Sequence, residues 1–179
     1  MELHRFGVKL FAAEPAGIRV KDFVPVFHLW IQRQAIEGHL LIDVHDYSHI
    51  PNGPGILLVA HEGNFCTDMA DGRLGLAYFR KQPAGAGVED HLDAALKAVR
   101  QAASLLEKEP AFEGRLRLRT DELLVISNDR LLAPNDASTF AALQPSLVKT
   151  FGRDAKLTYA SPNPKDRLTV RVFVPVPAS

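Results

Sequence analysis

Imidazole and carboxylate side chains gather in one short stretch of this chain. Five of its seven histidines fall between His28 and His61, interspersed with Asp43, Asp46 and Glu62. These are the groups that bind metals and move protons near neutral pH. Two constellations result. His61 and Glu62, with His39 brought opposite by strand pairing, have the composition of an acid–base pair. Desolvating such a pair perturbs both titrations, the usual physical mark of a catalytic site. The second, His45-Asp46-Tyr47-Ser48-His49, holds two histidines four apart beside Asp43. His45, Asp46 and His49 are nitrogen and oxygen donors of the kind a divalent zinc, nickel or iron ion accepts.

Each constellation has a plainer explanation. A His–Glu pair at a sheet edge is often only a hydrogen-bonded brace. A polar loop such as 45–49 is explained by Asp and Ser side chains satisfying backbone donors in local turns. No spacing matches a motif of known mechanism. Position 65 is Phe where the zinc motif H-E-x-x-H needs a second histidine, and Asn52-Gly53-Pro54-Gly55 lacks the Lys-Ser/Thr of a phosphate loop. There is no G-x-S-x-G elbow to present a nucleophilic serine. Cys66, the one cysteine, sits in an apolar strand pattern and reads as a small core residue. Asp68, Asp71, Gly72 and Arg73 lack the alternating donors of a calcium hand. Asp71-Gly72 is a turn, with Arg73 expected to reach across it to Asp68.

The elements that must position these groups follow from periodicity. Phe6, Val8 and Leu10 alternate, a first strand over 5–12. Val26, Phe27, Trp30 and Ile31 recur at helical spacing after Pro25, with Gly38 a natural stop. Segments 39–45 and 55–61 read as strands joined by nine residues, too few for a parallel crossover, so they pair antiparallel. Placing His45 opposite Gly55 sets Leu40, Ile42 and Val44 against Ala60, Leu58 and Ile56. That hairpin separates the histidines, His39 and His61 at one end, His45 and His49 about 20 Å away at the other. The second strand is expected to continue through a bend at Gly63 to about Ala70, and 73–80 returns from the Asp71-Gly72 turn.

Beyond a linker at 82–87, Val88, Leu92, Ala95, Val99, Ala102 and Leu106 mark a long amphipathic helix over 88–108. Strands are expected at 115–119, 122–127 and 130–133. A helix capped at Asn135 or Asp136 then runs to Gly152, kinked or divided at Pro145, and a last hairpin spans 156–160 and 168–174. The fold class is therefore α+β, mainly antiparallel sheets with three to four helices. Residues 1–179 are expected to form one domain. The halves 1–81 and 112–179 share the order strand, helix, strand, strand, which suggests a pseudo-repeat and a pseudo-symmetric pair of sheets.

The totals limit the function classes. Twenty-one basic residues balance twenty-one acidic ones, so the basic excess of a nucleic-acid binder is missing. Arg115, Arg117 and Arg119 alternate with Leu116 and Leu118 and decorate the wet face of a strand. No run reaches the ~18 apolar residues of a membrane span, and the first residues lack a signal-peptide core, so a cytoplasmic protein is expected. Two readings remain. One is a non-catalytic protein that binds a small ligand or another chain and self-associates as a homo-oligomer, with sheet edges that need covering. The other is a metal-assisted or acid–base hydrolase using His61, Glu62 and His39, or the His45–His49 loop.

Overall fold

A computed structural model describes residues 5–15, 17–160 and 163–176. Eight strands form one antiparallel sheet in the order β2-β3-β4-β5-β1-β6-β8-β7. They are β1 (Phe6–Ala12), β2 (Leu41–Asp46), β3 (Ile56–Ala60), β4 (Gly63–Asp68), β5 (Gly75–Arg80), β6 (Leu118–Ser127), β7 (Lys156–Tyr159) and β8 (Thr169–Phe173). The α-helices are α1 (Phe23–Arg33), α2 (Val88–Glu107) and α3 (Ala137–Phe151). The α+β class holds, but the strands make a single sheet, not a pair. The element order β-α-β-β does recur around α1 and α3, yet β4 and β5 intervene between β3 and β1, whereas β8 lies directly beside β6.

Alternation gives the sheet two unlike faces. Phe6, Val8, Leu10, Leu58, Leu76, Tyr78, Leu123, Val125, Val170 and Val172 point to the helices and join the main core. There α2 lies across β1 and β5, and α1 covers β2. Phe11, Leu124 and Ile126, with Phe79 against them, form a small second cluster on the face without helices.

Several local expectations are corrected. The chain reverses at His61 and Glu62 instead of running on through Gly63, because Leu57 pairs with Cys66 and Leu58 with Phe65 in an antiparallel β3–β4 ladder. The β2–β3 register is shifted: His45 lies opposite Leu57, Val44 opposite Leu58 and Leu41 opposite Ala60, with a bulge between Leu41 and Asp43. A regular strand cannot bury both Leu41 and Val44, three residues apart, on one face; the extra residue allows it. Leu40 and Ile42 are consequently turned outward, 57% and 53% exposed.

Helix α1 ends at Arg33, before Gly38, with Gln34 in the left-handed region. The Gln34 side chain replaces the missing turn, donating to the carbonyls of Ile31 and Leu41 and accepting from the Leu41 N–H. Segment 115–127 yields one strand, β6, not two. Residues 130–133 form a turn, because the Asp129 carboxylate accepts from the Leu131 and Leu132 N–H groups and holds the chain out of the sheet. Leu131 is left 95% exposed. Helix α3 continues unbroken through Pro145.

Candidate functional site

The hairpin separates the histidines as expected and brings His39 and Glu62 together at one end. His39 Nε2 lies 2.7 Å from the Tyr78 hydroxyl, and Nδ1 lies 3.2 Å from the Glu37 carbonyl. The carbonyl can only accept, so Nδ1 carries the hydrogen and Nε2 accepts from Tyr78. Burial pushes the His39 imidazole below its ordinary pKa, which keeps it neutral, and raises the Tyr78 hydroxyl to about 12. Burial also raises Glu62, but the Leu40 N–H, which donates to Oε2 at 2.9 Å, and the nearby His39 and His61 outweigh it. The Glu62 carboxyl therefore stays below the usual range. His61 itself is exposed on the turn.

At the other end, His45 Nε2 stands 3.5 Å from Asp43 Oδ2. Asp46 is engaged separately: the Ser48 hydroxyl and N–H hold its carboxyl below the ordinary value, the N–H at 2.9 Å. His45, Asp46 and His49 are all exposed. Among the described residues no three His, Cys, Asp or Glu side chains are grouped as a metal would require.

A further polar cluster lies on the helix-free face and contains no histidine. Glu122, 4% exposed, accepts a bidentate pair from Arg73 at 2.8 and 3.1 Å and a further bond from Arg171, and forms an ion pair with Arg119, whose hydrogen bonds go to Asp121. The Arg73 hydrogen bond is the main reason its carboxyl is held below the ordinary value, with Arg171 adding to it. The Arg73 guanidinium sits 3.8 Å from the centroid of Phe11, a cation–π contact. Beside it Lys9, 1% exposed, donates to Asp68 and to the Ala70 and Arg73 carbonyls at 3.1 Å. All three ammonium donors are thereby used, and the 69–73 loop is tied down. Gly75 makes room, since a Cβ there would lie 2.5 Å from Lys9 Cε. Arg73 thus pairs with Glu122 and not, as its position in the hairpin suggests, with Asp68.

A groove of about 500 Å³ runs over this face, with Leu124 and Ile126 in its floor and Arg130, Arg167 and Arg171 among its walls. Lys9 and the carboxylates of Asp68, Asp71 and Asp166 also line it. Cys66 lies beneath, its thiol pushed up by burial and so unreactive. One sequence signal for this site existed: Lys9 is a charge set into a strand that is otherwise apolar. No family model matches the chain, and no curated protein is significantly similar to it.

Proposed function

We propose that the protein is a non-catalytic binder of a small organic anion, held in the groove over the helix-free face of the sheet. One observation carries this reading: Glu122 is shared by three guanidiniums, of which Arg171 commits only Nη1 to it and lines the groove. Among the residues lining the groove four cations (Lys9, Arg130, Arg167, Arg171) meet three carboxylates (Asp68, Asp71, Asp166). A ligand carboxylate restores the balance, and its apolar part covers Leu124 and Ile126. Thermal shift with benzoate and citrate, at ionic strength matched by chloride, tests it. Saturable stabilisation that Arg130→Gln weakens and Thr169→Trp abolishes is expected. Stabilisation no greater than with chloride sinks the reading.

Self-association in the cytoplasm belongs to the same reading. Leu29 on α1 and Leu40 and Ile42 at β2 are exposed apolar side chains on two elements in contact, a face suited to a second copy. Light scattering is the test, and a clean monomer at high concentration counts against it. Among the described residues no helix is long and apolar enough to cross a membrane.

The histidine cluster supports a second reading, acid–base hydrolysis. Its basis is Glu62 within electrostatic reach of both His39 and His61. This predicts a bell-shaped rate profile abolished by Glu62→Gln. A metal-assisted version would use His45, Asp46 and His49, with metal analysis of untagged protein as its test.

A further inference from the structure

A second cleft lies where β1 begins and β5 and β6 end. It measures about 340 Å³ and is lined by Arg5, Asn64, Phe79, Arg80, Lys81 and Asn128, with no carboxylate among them. Strand pairing builds it. Asn64 lies opposite Phe79 and Gly7 opposite Phe79 in the β4–β5–β1 ladders, and the Asn128 N–H donates to the Arg5 carbonyl at 2.8 Å. Phe79 lies flat over Gly7, where a Cβ would come within 2.2 Å of the ring. Arg167 stands over Phe79 at 5.0 Å and donates to Asn128 Oδ1 at 3.3 Å.

The side-chain hydrogen-bonding capacity left here is dominated by N–H donors. Asn64 uses its oxygen on the Ala60 N–H at 3.4 Å, and Asn128 uses its oxygen on Arg167. Each amide keeps both N–H groups of its NH₂ and one further lone pair on its oxygen, while the side chains of Arg5, Arg80 and Lys81 have only N–H donors. A neutral ligand with donors of its own would leave N–H facing N–H. A ligand made only of acceptors, carrying negative charge, suits such a surface.

We infer that this cleft is an oxyanion site for a phosphate group, free or as the end of a small phosphomonoester. Its lining shares no residue with that of the carboxylate groove, and Arg167, a wall of the groove, stands between the two. Calorimetry with inorganic phosphate and with phenyl phosphate, each against chloride at equal ionic strength, tests the assignment. One-site binding of phosphate is expected. Tighter binding of phenyl phosphate assigns the site to a phosphomonoester, and equal or weaker binding assigns it to the free anion. Lys81→Gln and Arg5→Gln, both at exposed positions, should each weaken binding about tenfold, the loss of one charge-assisted bond. Arg130→Gln in the groove should leave it unchanged. Binding no tighter than chloride, or full affinity in the folded Lys81→Gln/Arg5→Gln double variant, overturns the inference. So does phosphate binding lost in Arg130→Gln alone, which would move the anion to the groove.

Discussion

The His39 imidazole and the Tyr78 hydroxyl, separated by 39 residues in the chain, form one 2.7 Å hydrogen bond that closes the α1–β2 connection onto β5. Tyr78 is fully buried, so its hydroxyl must find a partner, and a neutral imidazole supplies one.

Because burial lowers the His39 pKa, the folded state resists the proton that the unfolded chain accepts near pH 6.5. This contribution is fully present above that pH and is lost as pH falls through the folded value. Melting temperature should therefore drop as pH falls below about 6.5. His39→Gln should flatten the drop in that window, measured by calorimetry across pH. An unchanged slope in the variant would assign the pH response elsewhere.

Tyr78→Phe should cost about 1 kcal/mol, since it strips His39 Nε2 of its donor while leaving the ring packing against Phe65 intact. Urea unfolding measures this. The NMR titration of His39 should rise towards the ordinary value if the bond helps keep the ring neutral.

Among the described residues Glu122 is the one carboxylate that three arginines share, and removing its charge leaves them facing one another. Glu122→Gln should cost roughly 3–5 kcal/mol, in the range for breaking a buried ion cluster. Its carboxyl is held below the ordinary value, so this stability is present above about pH 4.5 and disappears as pH falls through the folded value. Wild-type and Glu122→Gln denaturation curves should accordingly converge as pH falls below about 4.5. Curves that stay parallel would show that the charge is not what matters.

Asp43 guards the sheet edge. Its Oδ1 accepts from the Val44 N–H at 2.8 Å, a donor that β3 does not use. Together with the Leu41–Asp43 bulge, this closes β2 to strand pairing. Asp43→Ala should free that donor and produce larger species by light scattering as concentration rises. If the size distribution matches wild type, the bulge alone suffices to protect the edge.

Much of the fold is legible in the chain itself because alternation and helical spacing are local. Phe6, Val8 and Leu10, or Val88 through Leu106, declare strand and helix without knowledge of any neighbour, and the nine-residue 46–54 loop fixes an antiparallel hairpin. The separation of the histidines follows from that hairpin alone. What neighbours decide is different. The bulge that buries Leu41 and exposes Ile42 depends on the helix packed above it, and the β3–β4 reversal at His61-Glu62 depends on Cys66 finding Leu57. Lys9, Arg73, Glu122 and Arg171 come from four separate strands or turns, so no spacing in the chain connects them. Only the order β5-β1-β6-β8 makes them neighbours, because a sheet assembles its polar clusters across strands, at right angles to the direction in which a sequence is read.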